Sequence, residues 1–246
     1  MASPRATGRQ QPSRLTATDA IERQKRAAAE AAAALVRDGM RLGLGTGSTV
    51  AYLLPALAAR GLADLACTAT SPATASAARE LGLRVLALDE LGSLDLAIDG
   101  ADQVDPRGWL IKGGGAAHTR EKIVALAARR FVVIVSSDKA VAQLQPPVPL
   151  ELVPFGVQTT LARLAPATLR EGVAPSPDGG LIADYWGPVD EPRALAERLS
   201  SETGVVEHGL FAPETVSEIL IASEEGVRRL PGGAEAPSVV ELDDAG

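Results

Sequence analysis

Short apolar runs alternate with amphipathic segments along the first 145 residues of the chain. Each run is five or six residues long and is directly followed by glycine, serine or aspartate, as expected of strands that are buried on both faces of a parallel sheet. The intervening segments carry apolar residues at helical spacing. This alternation predicts an α/β fold with a doubly wound, Rossmann-like, mostly parallel sheet. The predicted strands cover 40–44, 65–70, 84–88, 94–98 and 131–135, and the predicted helices cover 18–36, 50–59, 73–81 and 117–129.

The first helix carries signals at both of its ends. Thr18-Asp19 offers an N-cap, because short polar side chains accept hydrogen bonds from the free N–H groups of a first helical turn. An alanine-rich stretch then leads to Val36, and Gly39 follows at a position where glycine commonly ends a helix. We therefore expect a helix that begins near Thr18-Asp19 and is closed by Gly39.

The pattern of the chain changes at Pro146, where prolines cluster. The order then becomes strand, helix, strand, strand, helix, strand, which is the order of a ferredoxin-like α+β unit. Its segments are 150–153, 157–164, 168–173, 181–185, 191–201 and 205–209, and a strand at 218–222 is expected to return to the large sheet. The predicted organisation is a disordered leader at 1–14, an α/β catalytic domain formed by 15–145 and 210–231, a smaller ferredoxin-like domain at 146–209, and a flexible tail at 232–246.

Composition and charge narrow the classes of protein that remain. Of the 246 residues, 46% are hydrophobic and only 3% are aromatic, so Ala, Val, Leu and Ile must fill the core. The net charge of −7 argues against a nucleic-acid partner, which requires clustered Lys and Arg. A single cysteine excludes a disulfide framework. No apolar run reaches the ~18 residues that cross a bilayer, so we expect a cytoplasmic protein without membrane contact.

A glycine-rich loop follows the first predicted strand. Its sequence is Gly45-Thr46-Gly47-Ser48-Thr49, and a helical segment follows it. Glycine lets the backbone approach a phosphate closely, the N-terminus of a helix attracts anions, and the three hydroxyls add donors. Neither the dinucleotide fingerprint nor the Walker loop fits this spacing. The loop predicts a phosphate-binding turn, and a tight turn with hydroxyl caps remains the alternative.

Charged residues and glycines concentrate after the fourth predicted strand, at the end of a strand where open α/β sheets bind ligands. Asp99-Gly100-Ala101-Asp102 follows this strand directly, and Lys112-Gly113-Gly114-Gly115 comes ten residues later. Two carboxylates beside a lysine can hold hydroxyl groups and shift each other's pKa. Three consecutive glycines can form an anion-binding nest, and the lysine can stabilise negative charge on a substrate oxygen. The alternatives are an Asx turn at the aspartates and a surface lysine at the end of a strand.

Other polar side chains are weaker candidates. Glu121 lies in the first turns of the helix after the glycines, so it is either a carboxylate placed for general-base chemistry or part of a solvated helix face. Lys139, after the central strand, could reach the same crevice, and His118 could touch a ligand. His118 and His208 are 90 residues apart, so no zinc site is expected. Cys67 lies in an apolar run and is expected to be a plain buried residue.

Together these motifs resemble those of the A type of ribose-5-phosphate isomerase. The resemblance runs in order from about residue 18 to residue 230. Three motifs carry most of it: Gly43-Leu44-Gly45-Thr46-Gly47-Ser48-Thr49, Asp99-Gly100-Ala101-Asp102, and Ile111-Lys112-Gly113-Gly114-Gly115 with Thr119-Arg120-Glu121-Lys122. Later stretches that are similar are Ser136-Ser137-Asp138-Lys139, Leu152-Val153-Pro154-Phe155 and Gly204-Val205-Val206-Glu207-His208-Gly209-Leu210-Phe211.

The resemblance implies an aldose–ketose isomerase of the non-oxidative pentose phosphate pathway. Such an enzyme interconverts D-ribose 5-phosphate and D-ribulose 5-phosphate without a metal or an organic cofactor. By similarity, Glu121 moves a proton between C1 and C2 through an enediolate, Lys112 stabilises the developing oxyanion, and Asp99 and Asp102 bind hydroxyls and assist ring opening. The resemblance also implies that these enzymes are homodimers or dimers of dimers assembled partly through the smaller domain. The remaining implied substrate contacts are Thr46, Gly47, Ser48, Thr49, Gly100, Ala101, Gly113, Gly114, Gly115 and Lys139.

Two positions depart from the pattern of this family. The segment Thr70-Ser71-Pro72-Ala73-Thr74 stands where the family usually has serines and an aspartate, and Gln103 stands where an acid often follows the second aspartate. The main alternative function is a non-catalytic sugar-phosphate sensor, although a regulator should carry a basic helix-turn-helix and the 14-residue leader is too short for one. A lactonase, an amino-sugar phosphate deaminase and an acyl-CoA transferase are further alternatives, and a deaminase would be expected to depend on a catalytic histidine.

Overall fold

The computed structural model describes residues 16–233. Within this range the chain forms seven α-helices and fourteen strands, numbered here in chain order. The helices are α1 Ala17–Ala33, α2 Ser48–Ala58, α3 Pro72–Glu80, α4 Leu88–Leu91, α5 His118–Ala127, α6 Val157–Arg163 and α7 Pro192–Ser201. The strands are β1 Arg41–Leu44, β2 Ala66–Ala69, β3 Arg84–Val85, β4 Leu96–Asp99, β5 Gln103–Val104, β6 Leu110–Ile111, β7 Phe131–Ser136, β8 Val148–Leu152, β9 Ala167–Leu169, β10 Leu181–Tyr185, β11 Val205–His208, β12 Leu210–Phe211, β13 Glu218–Ser223 and β14 Gly226–Pro231.

Seven strands form the large sheet, in the order β14-β13-β7-β4-β1-β2-β3. All neighbouring strands are parallel except β13 and β14, which pair antiparallel at one edge. Side chains of β7 point alternately into two cores: Val132 and Ile134 pack with α1 and α2, whereas Val133 and Val135 pack with α5. Helices therefore cover both faces of the sheet, and the predicted doubly wound fold is confirmed.

The strand order places a crevice between β1 and β4. These two strands are neighbours, with Leu44 opposite Ile98. The chain leaves β1 through α2, which packs in the core on one face, and after β4 it returns to the sheet through α5, which packs on the other face. The loops at the carboxyl ends of β1 and β4 thus diverge, and such a divergence is where doubly wound sheets bind ligands.

The smaller sheet contains four antiparallel strands in the order β11-β8-β10-β9. Its strands and the helices α6 and α7 follow the predicted ferredoxin-like order. Its core also contains Trp109, Ile111, Leu144 and Leu210, which come from the segments on either side of the smaller domain. The domain boundaries at 146 and 209 stay a prediction. The predicted leader, and the predicted tail beyond residue 233, lie outside the described residues.

Several local elements differ from those expected. Strands β5, β6 and β12 form a separate small sheet, and strand pairs of two residues are too short to leave a periodic pattern in the sequence. The predicted strand at 84–88 ends at Val85, and α4 begins three residues later. Helix α1 is capped by Thr16 rather than by Thr18-Asp19, because Thr16 and Asp19 form a reciprocal capping box. None of the helices within residues 16–233 has the length and hydropathy that a bilayer crossing requires.

Candidate active site

A cavity of about 130 Å³ opens at the carboxyl ends of β1 and β4. It is enclosed by the loops after these two strands, by the glycine loop after β6 and by the first turns of α5. Thirteen of the fourteen predicted site residues line it: Thr46, Gly47, Ser48, Thr49, Gly100, Ala101, Asp102, Lys112, Gly113, Gly114, Gly115, Glu121 and Lys139. The fourteenth, Asp99, contacts the cavity indirectly, through its hydrogen bonds to Lys112 and to the backbone of Thr46.

Three buried charged side chains form a cluster at this cavity, and two of them, Lys112 and Glu121, line it. The ammonium of Lys112 donates hydrogen bonds of 2.8 Å to Oδ2 of Asp99 and 2.6 Å to the carbonyl of Gly100, and it lies 3.1 Å from Oε2 of Glu121. Each of the three side chains is at most 4% exposed. The readings of Lys112 as a surface lysine and of Glu121 as part of a solvated helix face are therefore wrong.

The bonding of the two carboxylates differs. Asp99 accepts hydrogen bonds from Lys112 and, through Oδ1, from the N–H groups of Thr46 and Gly100. Glu121 makes only the ion-pair contact to Lys112 through Oε2, and this oxygen has no hydrogen-bond partner among the described residues. Asp99 is thus fixed by several donors, whereas Glu121 is held on one side only.

This asymmetry is reflected in the acidities of the cluster. Burial and the negative charge of Asp99 raise the pKa of Glu121 to about 8, although Lys112 acts in the opposite direction. Burial also raises the pKa of Asp99, against the effects of Lys112 and of two backbone N–H groups. Burial lowers the pKa of Lys112, but the two carboxylates outweigh it, so the net pKa lies above its usual value. The site therefore keeps a charged ammonium beside an unusually basic carboxylate.

Close backbone approach makes glycine necessary at two places around the aspartates. A Cβ at Gly45 would lie 1.9 Å from Oδ1 of Asp99, and a Cβ at Gly114 would lie 2.8 Å from Oδ1 of Asp102. The N–H of Gly114 instead donates a 2.7 Å hydrogen bond to Oδ2 of Asp102. These glycines allow the loops to enclose both carboxylates.

We expect Gly45→Ala to destabilise the protein by about 1–3 kcal/mol, the usual cost of forcing an extra methyl group into a packed site. Gly100→Ala is the matched control, because a Cβ there meets only the carbonyl oxygen of Ile134 at 3.7 Å, and neither glycine has a positive φ. Urea unfolding of both variants measures the difference. Equal midpoints for the two variants would contradict the steric argument.

The loop after β1 presents the N-terminus of α2 to the cavity. Gly47 has φ of 116°, a conformation that favours glycine, and Ser48 and Thr49 begin the helix. Gly47 provides no side-chain cap, so the first N–H groups of this eleven-residue helix remain available to an anion. Lys139, which is 39% exposed, lies across the opening in a short 3₁₀ turn after β7.

The two departures from the family pattern serve structural roles. Ser71 caps α3 by accepting a hydrogen bond from the N–H of Thr74, and the hydroxyls of Thr70 and Thr46 lie 2.7 Å apart. Gln103 bonds both the N–H and the C=O of Gln145, which a carboxylate could not do because it has no donor. Neither position lines the cavity.

Helix α5 is held by the smaller sheet on the sides that face away from the cavity. Thr119 donates to the buried carboxylate of Glu151 in β8, and Arg120 forms two 2.7 Å hydrogen bonds to Asp178. Lys122 donates to Glu207 at 2.7 Å. Glu121 alone among these four consecutive residues points to the cavity. Glu151 was not among the predicted site residues, although an acid within a predicted strand was a usable signal.

The two histidines and the cysteine lie away from the cavity. His118 is fully buried, its Nε2 faces the carbonyl of Glu207 at 3.4 Å, and burial lowers its pKa to about 4. His208 is also buried, and its Nε2 lies 3.0 Å from the hydroxyl of Ser200. Cys67 is a buried free thiol, as expected. Across residues 16–233, no group of three or more His, Cys, Asp or Glu side chains is arranged to hold a metal ion.

Comparison with known proteins identifies the family. Residues 66–226 match the family model described as ribose 5-phosphate isomerase A (phosphoriboisomerase A). The chain is 48% identical over 221 residues to ribose-5-phosphate isomerase A of Caulobacter vibrioides, an alignment that covers 84% of this chain and 97% of that protein.

Solved structures agree with the sequence matches. The crystal structure of ribose 5 phosphate isomerase A from Neisseria gonorrhoeae superposes with a TM-score of 0.82 at 32% identity and covers 86% of this chain and 97% of its own. A D-ribose-5-phosphate isomerase in complex with phospho-erythronic acid superposes with a TM-score of 0.81 at 35% identity, covering 86% of this chain and 99% of its own. The chain therefore belongs to the ribose 5-phosphate isomerase A family.

Proposed function

We propose that this protein interconverts D-ribose 5-phosphate and D-ribulose 5-phosphate, a step of the non-oxidative pentose phosphate pathway. The observation that carries the proposal is the buried Glu121–Lys112–Asp99 cluster in a cavity at the end of the sheet. An aldose–ketose isomerisation needs a base that reaches carbon and a cation that receives charge on oxygen. The cluster supplies one of each.

The substrate is proposed to lie with its phosphate at the N-terminus of α2 and its reacting carbons above the cluster. The N–H groups and hydroxyls at Ser48 and Thr49 suit a phosphate, and Lys139 adds a cation at the opening. Asp102, which lines the cavity, then accepts hydrogen bonds from the sugar hydroxyls during ring opening, whereas Asp99 acts through its hydrogen bonds to Lys112 and to the N–H of Thr46. In this orientation the anion-binding end of α2 meets the phosphate, and the charged cluster meets the reacting carbons.

Glu121 is proposed as the base of the proton transfer. Its carboxylate takes the proton from C2 of the open-chain aldose, the electron pair forms a C1–C2 double bond, and the carbonyl oxygen at C1 becomes anionic. The same carboxyl group returns the proton to C1, while the proton of the C2 hydroxyl passes to the oxygen on C1 and leaves a ketone at C2. A pKa raised to about 8 makes Glu121 a stronger base than an exposed glutamate.

Lys112 is proposed to stabilise the enediolate. Its ammonium is fixed by Asp99 and Gly100, so little reorganisation is needed when negative charge develops on the substrate oxygen. A non-catalytic sugar-phosphate sensor would have no use for a basic carboxylate beside this ammonium, and no observation favours that alternative.

The protein is further proposed to form a homodimer, or a dimer of dimers, in the cytoplasm. Phe155 is 93% exposed, and Ile123, Leu126 and Val153 are 41–67% exposed, so the side of the molecule beside α5 carries an unusual apolar surface. The proposed substrate supports a cytoplasmic location, because a phosphorylated sugar does not cross a membrane unaided. Sedimentation equilibrium that found only a 25.3 kDa species at micromolar concentration would contradict the dimer.

The function is tested by adding D-ribose 5-phosphate to the protein in D₂O with EDTA and following the reaction by NMR. The proposal expects D-ribulose 5-phosphate to form with deuterium at the carbon that receives the proton, and expects EDTA to have no effect. Binding without product or exchange would support the sensor instead. Absence of binding would refute the substrate assignment.

A further inference from the structure

Arg170 connects the smaller sheet to the glycine loop of the candidate site. It directly follows β9, and its Nε donates a 2.8 Å hydrogen bond to the carboxylate of Asp184 in β10, while Nη2 binds the other oxygen of that carboxylate. Its Nη1 donates to the carbonyls of both Gly113 and Gly114, each at 3.1 Å. Asp184 is buried, so the guanidinium is fixed before it meets the loop.

These bonds determine the direction of two N–H groups. In a trans peptide the C=O and the following N–H point in opposite directions. The carbonyl of Gly113 points to Arg170. The N–H of Gly114, on the other side of the same peptide plane, donates a 2.7 Å hydrogen bond to Asp102, which lines the cavity. The carbonyl of Gly114 also points to Arg170, so the N–H of Gly115 is directed away from it. Within residues 16–233 this N–H donates to no protein group.

We propose that Arg170 is a positioning residue for the isomerisation: it turns the glycine loop so that one N–H holds Asp102 and the N–H of Gly115 faces the substrate beside Lys112. Arg170 itself does not line the cavity. The inference rests on the proposed function, because it assigns the free N–H to a substrate oxygen that becomes negative during the reaction.

The composition of the loop explains why an external anchor is needed. Three consecutive glycines have access to far more backbone conformations than other residues, and Gly113 already has φ of 104°. A donor contributes to catalysis when it is oriented before charge develops, and small errors of position are costly. The N–H of Ala116 also holds the carbonyl of Gly113, in a 3.0 Å turn hydrogen bond, whereas among residues 16–233 the carbonyl of Gly114 is held by Arg170. Arg170, about 55 residues distant in sequence, thus fixes the second peptide plane and ties it to the first.

The test compares Arg170→Lys with Arg163→Lys. Lysine keeps the charge but cannot bind Asp184 and two carbonyls together. Arg163 is the matched control, because it also pairs with a carboxylate, Glu202, and donates to a backbone carbonyl in the smaller sheet region, but away from the cavity. We expect Arg170→Lys to lower kcat about 10- to 100-fold and to change KM by less than about threefold. Arg163→Lys should leave both unchanged.

A second readout is the inhibition constant of phospho-erythronic acid, whose carboxylate resembles the oxygens of the enediolate. It should rise in Arg170→Lys in proportion to the loss of kcat, which a general loss of stability would not produce. A folded Arg170→Lys variant with wild-type kcat would overturn the inference. If that variant does not fold, Asp184→Asn releases the guanidinium instead, and unchanged kcat in it would equally overturn the proposal. An inactive wild type would refute the proposed function, separately from any comparison of variants.

Discussion

Glu121→Gln is expected to lower kcat by about 10²–10⁴-fold, the usual contribution of a general base, while the protein stays folded. Glutamine has the size of glutamate and can keep a contact to Lys112, but it cannot take a proton from carbon. Steady-state kinetics with D-ribose 5-phosphate measure the effect. Glu80→Gln on the exposed side of α3 is the control for the substitution itself. Turnover near the wild-type value in Glu121→Gln would exclude Glu121 as the base.

The pH dependence supplies an independent check on the same residue. Since the base must be ionised and its pKa is raised to about 8, kcat/KM of the wild type should rise with pH and level off above about pH 8. The same pKa shift affects the free energy of unfolding, because a carboxyl group whose pKa is higher in the folded state stabilises that state when it is protonated. For Glu121 this contribution is complete below pH 4.5 and is lost as the pH rises through about 8. Glu121→Gln should therefore gain stability relative to the wild type across that interval, as urea unfolding at several pH values would reveal.

Lys112→Ala is expected to lower kcat by about 10²–10³-fold and to raise KM less, because charge on the substrate oxygen grows towards the transition state. The variant should also lose about 3–5 kcal/mol of stability, since it leaves Asp99 and Glu121 buried without their cation. Kinetics and urea unfolding measure the two effects separately. A change confined to KM would refute the assigned role.

The double variant Lys112→Met with Glu121→Gln separates stability from catalysis. Removing the charge of Glu121 as well leaves one buried carboxylate, and Asp99 keeps its two backbone N–H donors. Stability should recover partly relative to Lys112→Ala, while kcat stays low. Recovery of activity together with stability would mean that the single variant was inactive only because it was unfolded.

The place of the candidate site could be predicted from the sequence because strand ends are visible in it. Asp99-Gly100-Ala101-Asp102 and the loop before Thr49 each follow an apolar run, and carboxyl ends of parallel strands meet at one edge of a sheet. The orientation of Glu121 could not be predicted from the residues around it, because it depends on contacts that α5 makes with residues far along the chain, such as Thr119 with Glu151.

Other features were missed for related reasons. Two-residue strands such as β12 are defined by their partners rather than by periodicity, so the sheet that positions Lys112 was not visible. In the sequence Arg170 is an ordinary charged residue within the predicted strand 168–173, and its proposed role depends on carbonyls that lie more than 50 residues away in the chain. The sequence motifs mark the residues that face the cavity better than those that hold them in place.

The ammonium of Lys112 has three hydrogens, and the structure offers it three oxygens: one from Asp99, one from Gly100 and one from Glu121. Two of the three hydrogens make hydrogen bonds, to Asp99 and to Gly100, so one hydrogen remains for an incoming substrate oxygen. Glu121 has the longest of the three contacts, 3.1 Å, and makes no hydrogen bond through that oxygen. A substrate oxygen that takes the third hydrogen would therefore compete only with the longest of the three contacts, the one to the proposed base, and would leave the bonds to Asp99 and Gly100 intact.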